Sequence, residues 1–155
     1  MRTPPKPIYI TPHDLAARFM GIREVKGSVD NPAIMAMLKL DASWVGNDET
    51  PWCSAFVNYV AWLLGRPRSK SLAARSWLRV GSPVALHEAR MGFDVVIFQR
   101  GGGHQPGPEV LSAPGHVAFF SSISGGDVTV IGGNQGDSVS IGTYPQSRIL
   151  GIREI

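Results

Sequence analysis

Apolar residues recur at helical spacing through the first half of the chain and in short β-branched blocks through the second. The densest stretch is Thr50–Gly65, where Phe56, Val57, Val60 and Leu64 share one helical face. Trp52, Ala55, Tyr59 and Trp62 cover much of the remaining surface, which predicts a helix buried on most sides. Thr50 is suited to the N-cap, Pro51 to the first helical position and Gly65 to a left-handed C-terminal cap. Two helices are predicted before it. Thr11-Pro12 opens the first, which runs to about Met20; Ile10 and Leu15 can staple across Thr11, and Asp14 favours the positive end of the dipole. Asn31-Pro32 opens the second, which carries Ile34, Met35, Leu38 and Leu40. A fourth helix is predicted from about Ser71 to Val80, stopped by Gly81-Ser82-Pro83.

After Pro83 the period changes. Asp94–Phe98, His116–Phe120, Val128–Ile131, Val139–Ile141 and Ile149–Ile152 read as strands, the third entered through the turn Ser124-Gly125-Gly126-Asp127. Short turns make neighbouring strands antiparallel. Helices first and strands second predict an α+β fold, with N-terminal helices packed on a C-terminal antiparallel β-sheet. The length fits a single domain over 1–155, with residues 1–10 as an extended Pro-rich arm. The connection Gln99–Gly115 is long, contains Gly101-Gly102-Gly103, His104 and three prolines, and is expected to border a substrate groove.

A single cysteine excludes an internal disulfide and a Cys-rich metal site, so neither metal nor cofactor is expected. The net charge of +3 suits an anionic target such as a bacterial wall, and equally a soluble surface that happens to be basic. The basic residues form no dense run or helical stripe, so nucleic acid is not an expected partner. No apolar segment follows the N-terminal Pro-rich arm as it would in a signal peptide. The longest apolar stretch, Ala55–Leu64, is interrupted by Asn58 and is too short to span a bilayer. A monomer made in the cytoplasm, without membrane insertion, is the expectation.

Cys53 falls in the first turn of the central predicted helix, where unpaired N–H groups and the dipole favour a thiolate. A nucleophilic thiol needs a base, and the base needs an orienting group. Of the four histidines, His13 and His87 fall in stretches that read as solvated, and His104 sits in the Gly-rich loop. His116 begins a strand after Gly115, where an imidazole can be held in place. Asn134, in Gly132-Gly133-Asn134-Gln135, follows the next strand and is the expected orienting residue. Each residue also has a plainer role: Cys53 as a small buried hydrophobe, His116 as a hydrogen-bonded structural residue, Asn134 as a left-handed turn residue.

The segments Asp48–Asn58, Gly115–Phe120 and Gly132–Gln135, in that order, resemble peptidoglycan hydrolases of the CHAP and NlpC/P60 superfamily. The resemblance is to a phage-associated branch with a Pro-Trp-Cys-x-x-Phe-Val-Asn helix, a Gly-His-Val strand and a Gly-Gly-Asn-Gln turn. Ala74–Leu78 and Glu24–Gly27 are also similar to that branch. The resemblance implies a papain-like fold and a Cys-His-polar triad that cleaves amide bonds in peptidoglycan. Cys53, His116 and Asn134 take the catalytic positions, and Trp52, Asp48, Gln135 and His104 are the expected substrate-binding residues. The Gly-Asp that opens the first strand in the family is Phe93-Asp94 here, and no Asp-rich calcium loop is present. With the catalytic domain filling the chain, no separate wall-binding domain is expected. The implied role is a phage endolysin that reaches the periplasm and cell wall after holin-mediated release. A secretion-system amidase toxin with the same chemistry and a non-catalytic virion or wall-binding module are the alternatives.

Overall fold

The computed structural model describes residues Met1–Ile155. Three α-helices precede a six-stranded sheet: α1 (Pro12–Arg18), α2 (Pro32–Lys39) and α3 (Cys53–Leu63), then β1 (Ser82–Pro83), β2 (Asp94–Gln99), β3 (Gly115–Ser124), β4 (Asp127–Gly132), β5 (Ser140–Pro145) and β6 (Ile149–Glu154). The strand order is β1-β6-β2-β3-β4-β5, with every pairing antiparallel. This is the expected α+β arrangement of helices and antiparallel sheet. No helix is long and apolar enough to cross a membrane. Residues 1–10 have no regular structure and are exposed.

Strand alternation divides the core between the two faces of the sheet. Val95, Ile97, Val117, Phe119 and Ile131 face the helices and pack with Phe56, Val57 and Val60 of α3. Val96, Phe98, Ala118, Phe120, Val128 and Val130 face the other way, under Leu86, Tyr144 and Ile149. Phe56 joins the two layers edge-on, meeting Phe119 and Phe19 with ring centroids 6.0 Å from each. The α1 start is a full capping box: Asp14 N–H donates to Thr11 Oγ1 at 3.1 Å, and Thr11 N–H donates to Asp14 Oδ2 at 2.9 Å. Asn31 Oδ1 caps α2 through Ala33 N–H at 2.9 Å.

Four expectations need correction. The regular part of α3 begins at Cys53, with Trp52 at the N-cap and no side-chain cap. Trp52 leaves helical geometry at φ −123°, and its indole N–H donates to Glu24 Oε1 at 2.8 Å. The predicted helix from Ser71 is a 3-10 segment confined to Ala74–Arg79. The Ser71 carbonyl accepts from Ser54 Oγ (2.6 Å) and Asn58 Nδ2 (3.2 Å), not from a following helical amide. Trp62 is half exposed, near the C-terminal end of α3. His13 is buried, its Nε2 2.8 Å from Ser121 Oγ, because α1 packs on β3. Burial outweighs the neighbouring Asp14 charge and lowers the His13 pKa.

The end of α3 is a Schellman motif. Gly65 takes φ 63°, its N–H donates to the Trp62 carbonyl, and Arg66 N–H donates to the Ala61 carbonyl. Beyond it, Asn58 holds the returning chain. Its Nδ2 reaches Ser69 Oγ, and its Oδ1 accepts from Lys70 N–H at 2.9 Å, with Lys70 at φ 55°. Buried polar side chains on an apolar helix therefore fix the segment leading to the Ala74–Arg79 turn.

That turn carries Arg75, which is fully buried and faces no carboxylate. Its guanidinium donates to four carbonyls of the long loop: Pro106 (3.0 Å), Gly107 (2.7 Å), Val110 (3.2 Å) and Pro114 (2.9 Å). The planar donor fork thus replaces the secondary structure the loop lacks. Arg75→Met keeps the apolar stem but strips these acceptors. We expect a loss of about 2–4 kcal/mol and a Tm lower by roughly 5–15 °C. Hydrogen exchange should accelerate selectively in residues 106–114, as read by mass spectrometry. An unchanged Tm would refute the clamp.

Candidate active site

α3 points its N-terminus at the end of the sheet where β3 begins. Cys53 is the first helical residue and is only 3% exposed. No acceptor takes its backbone N–H, as expected for the first residue of a helix. His116 is the second residue of β3, paired with Phe98 across β2, and is 7% exposed. Gly115 precedes it because a Cβ there would lie 2.9 Å from Arg75 Cγ and 3.1 Å from the Phe98 carbonyl oxygen. The 3-10 turn and β2 therefore close on the chain just before the histidine.

Burial alone raises the thiol pKa of Cys53. The His116 side chain and its charge, the Val117 N–H and the Arg100 charge oppose it, and the net direction is downward from the ordinary 9.0. The Cys53 thiol is thus coupled electrostatically to His116, the histidine expected to serve as its base.

The partner on the far side of the ring is Gln135, not Asn134. His116 Nε2 lies 2.8 Å from Gln135 Oε1. The orientation of that amide follows from its other contacts. Gln135 Nε2 donates to the Ser140 carbonyl at 2.7 Å, and Tyr144 Oη donates to Gln135 Oε1 at 3.1 Å. Two donors therefore meet at Oε1, so the neutral ring carries its proton on Nε2 and leaves Nδ1 as the base. Burial raises the Tyr144 pKa, aided by the Cys53 charge, which keeps the hydroxyl protonated as a donor. Phe98 lies 6.2 Å from the imidazole at 25°, Tyr144 lies 5.3 Å from it, and the two aromatic rings are 4.8 Å from each other, so the three rings form one packed cluster.

The glycines of Gly132-Gly133-Asn134-Gln135 have separate reasons. A Cβ on Gly132 would sit 2.8 Å from Gln135 Oε1, and one on Gly142 would sit 3.0 Å from the same amide. Both leave room for the Gln135 side chain. A Cβ on Gly133 would lie 2.7 Å from Phe56 Cβ and 2.7 Å from Trp52 Cζ3, so its absence lets α3 approach the sheet. Asn134 adopts φ 56° and makes no side-chain hydrogen bond to His116. It supplies the left-handed turn that lets the next residue point back under the strand. Gln135, expected as a substrate-binding residue, is instead 8% exposed and occupied by His116, Tyr144 and Ser140.

Three other expected substrate contacts are also corrected. Trp52 is fully buried between Glu24 and Gly133. Asp48 is fully buried, and its Oδ2 accepts from Val25 N–H (3.0 Å) and Asn31 N–H (2.7 Å), tying the segment before α2 to the approach to α3. His104 is exposed and lines neither cavity beside the site.

Those cavities flank the Cys53–His116 pair. One, of about 330 Å³, opens at Cys53 against Pro51, Leu72, Ala74, Ala113 and Pro114. The other, of about 430 Å³, opens at His116 against Asn134, Gln135, Tyr144, Arg100 and Arg148. Arg100 borders both, and both ends of the Gln99–Gly115 connection contribute walls. Tyr144, Arg100 and Arg148 are absent from the sequence-derived set. Tyr144 sits in an ordinary strand alternation, and no motif singles out either arginine. The arrangement can deliver a thiolate, a base with a defined tautomer and an unpaired N–H at one point in a groove.

The thiolate assignment predicts a pH profile. Iodoacetamide alkylation of Cys53 should persist below pH 9.0 and decline as pH falls through the lowered pKa, because the reactive thiolate is then protonated. His116→Ala removes the main opposition to burial and should move the midpoint upward, towards or above 9.0. Unchanged midpoints in mass-spectrometric rate measurements would separate the two residues. No known family model matches the chain, and no curated protein does either.

Proposed function

We propose that the chain is a papain-like cysteine peptidase or amidase that cleaves an amide bond in peptidoglycan. The observation that carries this reading is the fixed order of contacts: Cys53 at a helix start, His116 beside it, and Gln135 holding the far imidazole nitrogen. A buried histidine with a merely structural role needs no thiol of lowered pKa coupled to it. The wall substrate comes from the resemblance of the three motif segments, and the setting we propose is phage-driven wall lysis.

His116 Nδ1 takes the Cys53 proton, and the sulfur attacks the carbonyl carbon. The oxygen becomes an oxyanion that the free Cys53 N–H can receive, a contact worth roughly 10²–10³ in rate. The carbon–nitrogen bond then breaks as His116 returns its proton to the leaving amine, giving a thioester. Water attacks the thioester with His116 again accepting the proton, the carbon–sulfur bond breaks, and the acid and the thiol–imidazole pair are regenerated. Gln135 keeps Nδ1 on the sulfur side and accepts from Nε2–H throughout. As a neutral acceptor it stabilises the imidazolium less than a carboxylate would.

Digestion of purified peptidoglycan, with new termini identified by mass spectrometry, tests the reading and reports which bond is cut. Cys53→Ala should lower cleavage by at least about 10³-fold without unfolding the protein. A fully lytic, folded variant would sink the mechanism. A second pair of substitutions tests the orienting residue. Gln135→Ala should lower kcat by about 10–10² through loss of ring orientation. Asn134→Gly, which tolerates the positive φ, should leave kcat unchanged. The opposite ranking would return the orienting role to Asn134.

A further inference from the structure

We propose that the cavity beside His116 is a carboxylate-binding subsite, formed by Arg100 and Arg148, for the amine-bearing half of the substrate. The assignment of halves rests on the proposed amide cleavage. His116 must give its proton to the leaving nitrogen, so the leaving half lies on the histidine side of the scissile bond. The acyl half stays on Cys53, whose own cavity is lined mainly by proline, alanine and leucine side chains. The cavity at His116 adds Arg148 to the Arg100 that both cavities share, and neither is lined by aspartate or glutamate.

Neither arginine is neutralised. The ion pairs of the protein are Lys26–Asp137, Arg68–Asp41 and Arg90–Glu154, all of them apart from this cavity. Arg148 uses Nη2 to bind the carbonyls of Gln99 (3.3 Å) and Gly101 (2.7 Å). It thereby clamps the backbone on both sides of Arg100, while the Arg100 guanidinium makes no hydrogen bond of its own. Arg148 positions, and Arg100 presents an unspent planar fork at the mouth of both cavities. Guanidinium pairs favour carboxylates because two parallel N–H bonds match the two oxygens. A space of about 430 Å³ accepts an amino-acid residue together with its carboxylate. The preferred substrate therefore has a free carboxylate on the residue that supplies the leaving amine.

The test uses two synthetic stem peptides, one with all carboxylates free and one with all of them converted to amides. Binding is measured by calorimetry on Cys53→Ser protein, which retains the groove without consuming the peptide. The free peptide should bind at least about 10-fold more tightly, as expected for a charge-assisted bidentate pair. That ratio should collapse towards one in Arg100→Gln and recover in part in Arg100→Lys. Arg100 is exposed and its guanidinium makes no hydrogen bond or ion pair, so its variants should fold. Equal binding of the two peptides, binding of neither, or an unchanged ratio in Arg100→Gln overturns the subsite. Cleavage of the free peptide by the unsubstituted protein is scored separately by mass spectrometry. Its absence counts against the proposed function, whereas the ratio of affinities decides the subsite.

Discussion

The arrangement of the site depends on one hydrogen bond, from His116 Nε2–H to Gln135 Oε1. It fixes which imidazole nitrogen is the base, and it does so only because the amide itself cannot turn over. The Ser140 carbonyl demands an N–H donor, which leaves Oε1 to accept from the Tyr144 hydroxyl and the imidazole. A reversed amide would set its oxygen against the Ser140 carbonyl, acceptor to acceptor. The Gln135 backbone is held as firmly. Its N–H donates to the Ser138 carbonyl, while its own carbonyl accepts from the hydroxyls of Ser138 and Ser140. A loop residue thus acquires the rigidity usually supplied by a strand.

The other wall of the groove uses the same device from a different direction. Ser54, one residue after the candidate nucleophile, accepts the Trp77 indole N–H and donates to the Ser71 carbonyl. Asn58, one turn later, secures residues 69–71. These contacts set the 3-10 turn, the turn sets Arg75, and Arg75 gathers the carbonyls of the long loop. A chain of buried polar contacts therefore runs from the first turn of α3 to Pro114, beside the thiol cavity. Such polar groups are costly when unpaired, which makes each a specifier of geometry as much as a source of stability.

The positions of Cys53 and His116 were legible because local rules control them. An apolar helix with Pro near its start puts Cys53 at the positive end, and a glycine before the apolar run Val117–Phe120 puts His116 at a strand start. Five of the six strands were legible for the same reason, although β5 runs on to Pro145 beyond the predicted block, and β1 lies at Ser82–Pro83, where the sequence reads as a helix stop. The orienting residue was not legible. Asn134 and Gln135 are adjacent and chemically equivalent acceptors, and only the left-handed φ of Asn134 decides which one turns inward. The roles of Trp52 and Asp48 were hidden because they depend on Glu24, Val25 and Asn31, which are remote in sequence. A tryptophan beside a nucleophile reads as a binding surface until its indole nitrogen is found committed to a partner in the interior.

Charge is partitioned along the same lines. Glu24 has its pKa raised first by burial and then by Asp137, Asp48 and Glu49, while the Trp52 indole N–H opposes the shift. This acidic group gathers at the Glu24 end of the buried indole. The groove side has the unpaired N–H of Cys53, Arg100 and Arg148, and neither cavity there is lined by a carboxylate. Coulomb energy falls with distance and with screening, so an acid in the groove close to Cys53 would oppose the thiolate more than one behind Trp52. Keeping the acids behind Trp52 therefore serves two ends with one arrangement. It preserves the positive surroundings that make a buried thiol ionisable, and it leaves the arginines of the groove without an internal competitor for an anionic substrate.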